Sequence, residues 1–262
     1  MMAKGLRPFF DTVLHAAGAK LFWRHQRGKT EALFSKSDNP ADRVTRGDYD
    51  STRIIEKHLR AEFPDHKRIG EEGKRRWILD PKNGTWIYDP LDGTWNFSQH
   101  DPRFAVMMAF AQSNELEAAG IFFPITNQFY FAQRGRGLFL NGNRVPLCDG
   151  KERRSKNGGC VGDKNLPQVE RLIKRFRFAT WNECVAWDAD MLIQGQANWL
   201  VSFEAMIWDY APVALILMEG GFVVTNAEGA PWSLTDNTLV AAPVAGHPNI
   251  LKHVKKVRKL IK

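Results

Sequence analysis

The stretch Trp86-Ile87-Tyr88-Asp89-Pro90-Leu91-Asp92-Gly93-Thr94-Trp95-Asn96-Phe97 carries two acids across the end of an apolar segment. Trp86, Ile87 and Tyr88 are β-prone and read as the end of a buried strand. Pro90 fixes its own φ and holds Asp89 out of the helical region, so the strand is expected to stop there. Gly93-Thr94 reads as a helix start. Two acids at such a turn repel each other and lose solvation when partly buried. A divalent cation resolves both problems, and carboxylates with a main-chain carbonyl suit Mg²⁺. N–H groups at Gly93 and Thr94 would face the same point, and a helix N-terminus attracts phosphate. Asp89-Pro90 and Asp92-Gly93 are each ordinary turn dipeptides. A turn alone, however, has no need of two acids, Thr94 and an aromatic frame together.

Outward from this turn, three other segments contribute acids. Val44-Thr45-Arg46-Gly47-Asp48 and Arg68-Ile69-Gly70-Glu71-Glu72-Gly73 precede it, and Trp208-Asp209-Tyr210-Ala211-Pro212 leads on to Glu219-Gly220-Gly221. Asp89-Pro-Leu-Asp-Gly-Thr, with Asn96-Phe97 after it, resembles the first signature of the inositol monophosphatase family. That family comprises Mg²⁺-dependent, often Li⁺-sensitive sugar and nucleotide phosphatases. Gly70-Glu71-Glu72 is similar to its "GEE" segment and Val44 to Asp48 to its "VTxxD". Trp208 to Gly221 is similar to its "WDxAA…EAGG", with Gly220, Gly221 and Phe222 a mild departure. Gly135 to Asn143 is similar to its "G.G.FLNG", where a hairpin closed by Asn141-Gly142 is expected.

The resemblance covers most of the chain and implies a layered α+β or α/β sandwich (αβαβα), the sugar-phosphatase fold. It implies one catalytic domain over 1–262, with halves of roughly 1–150 and 151–262 meeting near the basic linker Lys151–Gly159. It implies that Glu71, Asp89 and the Leu91 carbonyl hold one Mg²⁺, and that Asp89, Asp92 and Asp209 hold a second. Asp48 would hold a third, weaker ion or orient water. Glu71 and Thr94 would align the attacking water, and Asp92, Gly93 and Thr94 would border the substrate. Li⁺ is implied as an inhibitor and a homodimer as the assembly.

The substrate implied is a small phosphorylated metabolite: inositol monophosphate or a related sugar or polyol phosphate. Alternatives within the superfamily are 3′-phosphoadenosine phosphate, fructose bisphosphate and histidinol phosphate. Inositol-hydrolysing relatives carry a Glu shortly before the acid matching Asp209. Ser202 stands near that place here, which leaves Glu204 as the candidate substitute. The small Gly-Ser-Ala stretch that borders the sugar in such relatives is matched by the bulkier Trp181 to Ala186. A rival from another class is a non-catalytic basic anion-binding protein that retains the fold.

Composition bounds these readings. The 262 residues are 44% hydrophobic, enough for a sizeable core, and no apolar run is long enough to span a membrane. No signal peptide is read at Met1, and a cytoplasmic protein is expected. Cys148, Cys160 and Cys184 lack CxxC spacing, and no HxH or HExxH pair occurs, which argues against zinc and a disulfide scaffold. The net charge of +8 comes without any nucleic-acid-binding signature, so no nucleic-acid polymer is expected as a partner. Apolar spacing predicts a helix from Arg7 to about Lys36 and a second from Ser51 to Glu62, with Asp48 as its N-cap. Lys36 falls at the mouth of the site or on the open surface. Further helices are expected over Asp188–Gly195 and Pro248–Lys262, and a strand over Ala197–Phe203.

Overall fold

The computed structural model describes residues 5–36, 43–73, 78–151, 158–162, 179–203 and 205–259. The chain opens with α1 (Leu6–Gln26), the exposed strand β1 (Ala32–Ser35), β2 (Arg43–Thr45) and α2 (Arg46–Glu62). Helix α1 stops well short of Lys36. The Arg27 and Gly28 N–H groups bond back to the Arg24 and His25 carbonyls, both at 3.1 Å, and glycine is a poor helix former. Helix α2 starts earlier than its apolar spacing predicts, because Thr45 rather than Asp48 is the N-cap.

Strands β3 (Lys67–Gly70), β4 (Thr85–Asp92), β5 (Ala105–Gln112), β6 (Glu115–Phe123), β7 (Gln128–Gln133), β8 (Gly137–Leu140) and β9 (Asn143–Arg144) form one sheet in that order. Only β3 and β4 pair in parallel there. The short helix α3 (Thr94–Ser98) follows β4. A second, five-stranded sheet has the order β11-β10-β12-β14-β13. Its strands are β10 (Gly159–Val161), β11 (Ala179–Thr180), β12 (Leu200–Phe203), β13 (Val223–Thr225) and β14 (Thr238–Ala242). Helices α4 (Val185–Ile193), α5 (Ile207–Glu219) and α6 (His247–Lys259) complete the chain. The helix expected at Asp188 therefore begins at Val185, and the strand expected at Ala197 begins at Leu200.

Three apolar clusters stack the elements into layers. Phe10, Leu14, Leu21, Ile55 and Leu59 of α1 and α2 pack on Trp86, Phe110 and Phe131 of the seven-stranded sheet. The opposite face of that sheet, α4, α5 and one face of the second sheet share a single cluster. Ile250, Val254 and Val257 of α6 close the far face against Val161, Val201 and Val240. The result is the αβαβα sandwich. Helix α5 lies between two sheets and is accordingly apolar nearly all round. Strand β4, covered on both faces, is buried throughout. Each fully buried large side chain, such as Trp86, contributes about 1.5–3 kcal/mol. None of the described helices is long and apolar enough to cross a membrane.

Candidate active site

The site begins at a bulge. Asp89 pairs with Met107 and Asp92 with Ala105, so β4 spends one residue more than β5 between them. Asp89 and Asp92 are an odd number of residues apart and would face opposite sides of a regular strand; the extra residue turns both to one side. Pro90 lies in the bulge, where no ladder N–H is required of it. The strand thus runs on to Asp92 instead of ending at Asp89. Asp89 Oδ1 accepts the Leu91 N–H at 2.8 Å, and the Leu91 carbonyl accepts the Thr94 hydroxyl at 2.8 Å. Gly93, at φ 85°, is the left-handed N-cap of α3.

Three helix N-termini meet this turn: one holds Asp92 and two bring further acids. Asp92 accepts the Ala186 N–H at 2.7 Å, the Val185 N–H at 3.3 Å and the Cys184 thiol at 3.1 Å, all from the start of α4. Asp48, in the first turn of α2, accepts the Thr45 N–H and hydroxyl at 2.7 Å each, and the Thr94 hydroxyl at 3.0 Å. It is the third helical residue of a capping arrangement rather than the cap. Asp209 holds the same position in α5 and accepts the Met206 N–H at 2.7 Å. The positive end of each helix favours the carboxylate placed there.

Glu71 comes from the turn after β3, which runs parallel to β4 and so ends beside Asp89. Among the neighbouring acids, the charge of Glu71 acts most strongly on Asp89. Glu71, Glu72 and Asp48 present oxygens that all lie within 4.8 Å of one another. Lys36 Nζ bonds Glu71 Oε1 at 2.8 Å and Glu72 Oε1 at 2.7 Å, which places it at the mouth of the site. Glu72 is thus part of the cluster as well. Glu204 lies outside the described residues.

The electrostatics follow from this crowding. Burial, then the charge of Glu71, pushes Asp48 up to about 7. Burial pushes Asp92 up to about 6 despite its donors. Asp89 and Asp209 are raised well above the carboxylate range by burial and by the charge of Glu71 and Asp92. Burial raises Glu71 too, although Lys36 opposes it. Burial works against the charge of Lys36, but Glu71 and Glu72 hold its pKa well above the usual lysine value. Among the described residues one ammonium, that of Lys36, stands with six acids: Asp48, Glu71, Glu72, Asp89, Asp92 and Asp209. The deficit of positive charge, with oxygen as the donor atom throughout, fits hard divalent cations.

A match to the inositol monophosphatase family model extends over residues 8–259. The chain belongs to that family. Its members are phosphoric monoester hydrolases and depend on Mg²⁺. A fructose-1,6-bisphosphatase/inositol-1-monophosphatase of Thermotoga maritima is 28% identical over 223 residues, covering 82% of this chain and 84% of the relative. A Nus factor SuhB of Vibrio cholerae is 30% identical over 231 residues, covering 82% and 83%. The structure of an IMPase from Thermotoga maritima superposes with a TM-score of 0.81 at 25% identity, over 96% of this chain and 97% of that one.

For this family member the raised carboxyl groups set a pH-dependent stability. Asp48 and Asp92 have ordinary values of 3.8 and folded values of about 7 and about 6, so the folded state binds protons more tightly than the unfolded one. Their contribution is full below about pH 4 and is lost as the pH rises through about 7. The melting temperature of the metal-free protein should fall over that window. Mg²⁺ should raise it more at about pH 8 than at about pH 5, where protons compete for the same oxygens. Equal Mg²⁺ shifts at both values, read by calorimetry, would contradict the assignment of the acids as ligands.

Proposed function

We propose that the protein is a Mg²⁺-dependent phosphatase of small phosphorylated metabolites, with Glu71, Asp89, Asp92 and Asp209 as its metal-binding side chains. The supporting observation is that carboxyl groups from three distant segments are gathered in one place, with Lys36 the one lysine bonded to them among the described residues. Glu71, Asp89 and the Leu91 carbonyl would hold one ion. Asp89, Asp92 and Asp209 would hold a second, and Asp48 would take part in a third, weaker site. When bound, the ions supply Lewis acidity toward the phosphoryl oxygens and a more acidic water.

The chain's own groups supply position and proton transfer. The Thr94 hydroxyl proton is committed to the Leu91 carbonyl and Asp48, so its oxygen is left to accept from a water. Glu71, with its raised affinity for a proton, would take the second one. Gly93 and Thr94 open α3, where N–H groups favour the phosphate. Asp92 is held in place by the donors at the start of α4. No nucleophilic side chain is needed; positioning and charge neutralisation carry the reaction.

Recognition of an inositol ring would fall to Glu204. Ser202, near the place of the inositol-recognising Glu in relatives, is buried and accepts the Tyr210 hydroxyl at 3.1 Å. Hydrolysis of p-nitrophenyl phosphate tests the class. Turnover should vanish in EDTA and return with Mg²⁺; turnover indifferent to EDTA would overturn the proposal.

A further inference from the structure

Helix α4 begins without help from its own cap. Cys184 stands at the N-cap, extended at φ −157°, and its side chain makes no bond to the helix it opens. A serine, threonine or acid at that place ordinarily accepts one of the first free N–H groups. A thiol is a weak acceptor, and those groups go to Asp92 of β4 instead. The Ala186 N–H reaches Oδ2 at 2.7 Å and the Val185 N–H reaches Oδ1 at 3.3 Å. An acid of the seven-stranded sheet thus caps a helix that is distant in the chain.

The thiol turns toward the same acid. Cys184 Sγ donates to Asp92 Oδ2 at 3.1 Å and lies 3.8 Å from the Asp92 carbonyl oxygen. Cys184 is buried and packs directly on the acidic turn, where a Cβ at Gly93 would lie 3.1 Å from Cys184 Cβ. Among the described residues, Oδ2 therefore receives two donors and Oδ1 a single long bond.

We propose that Cys184 is a positioning residue for the hydrolysis: its thiol commits Asp92 Oδ2 and so sets the carboxylate to present Oδ1 to a divalent cation. This rests on the phosphatase reading above and deepens it. The torsion that turns a carboxylate about its own axis is soft. Two N–H groups from one helix leave that rotation open, and a third donor from a side chain closes it. Groups that orient a metal-binding carboxylate act through the ligand, and their loss weakens metal binding without removing a ligand atom.

Calorimetric titration with Mg²⁺ tests this on the wild type, Cys184→Ala and Cys184→Ser. Cys184→Ala should bind Mg²⁺ about 10- to 100-fold more weakly, and Cys184→Ser, whose hydroxyl keeps a donor, should return to within about threefold of the wild type. Hydrolysis of p-nitrophenyl phosphate by Cys184→Ala should then recover when Mg²⁺ is raised by the same factor, which a merely disrupted site would not do. Wild-type affinity in Cys184→Ala, equal losses in the two variants, or turnover that stays low in saturating Mg²⁺ would overturn the positioning role and leave the phosphatase reading intact. A wild type that binds no Mg²⁺ would overturn both. Should Cys184→Ala fail to fold, the S–H stretching band of the thiol decides. Subtracting the infrared spectrum of Cys184→Ser cancels the other free thiols, Cys148 and Cys160. A Cys184 band that shifts when Mg²⁺ is added supports the coupling to Asp92, and a band that Mg²⁺ leaves unmoved refutes it.

Discussion

Asp89→Asn is expected to lower Mg²⁺-supported turnover by about 10³-fold or more while leaving the metal-free protein at least as stable as the wild type. One carboxylate is proposed to serve both ions, so its loss removes roughly 4 kcal/mol or more of transition-state stabilisation. The stability effect has the opposite sign because Asp89 is 2% exposed and faces Glu71, Asp92 and Asp209. A neutral amide of the same shape relieves that repulsion. Steady-state kinetics and a thermal melt in EDTA read the two halves separately. Turnover near the wild-type level would end the two-ion assignment. A large drop in the metal-free melting temperature would show that Asp89 is instead a structural carboxylate.

Gly93→Ala should be among the most damaging small changes in the chain. Gly93 has φ +85°, and a Cβ there would sit 2.7 Å from the Arg103 carbonyl oxygen and 3.1 Å from Cys184 Cβ. The first of these is backbone and cannot swing away. Left-handed strain and the clash together should cost about 2–4 kcal/mol, and turnover should fall as Thr94 is displaced. Gly135 is the matched control. It has φ +68° with nothing within 4 Å of its would-be Cβ, so Gly135→Ala should cost only about 1 kcal/mol. Urea denaturation of the two variants measures the difference, and equal losses would show that the Arg103 contact has no weight.

The αβαβα layering was legible through the family resemblance, because the motifs that carry the resemblance are compact and local. Asp89, Asp92, Glu71 and Asp209 stand in compact motifs, and the buried strands carry continuous apolar runs. What could not be read depends on pairing between distant segments. The Pro90 bulge exists only because β5 continues past it, so proline alone predicted a strand end. The hold of α4 on Asp92 joins positions far apart in the chain, and nothing near Val185 or Ala186 announces it. The bond from Lys36 to Glu71 and Glu72 is of the same kind. The start of α2 is set locally: Thr45 three residues before Asp48 is a capping pattern.

Strand β3 lies at the end of its sheet and is paired on one side only, with β4. Asp89 and Asp92 sit on an interior strand with a partner on each flank. Fraying of the sheet margin therefore carries Glu71 away while leaving the other acids in place. An ion held through Glu71, as proposed, would share that mobility, and one held by Asp89, Asp92 and Asp209 would not.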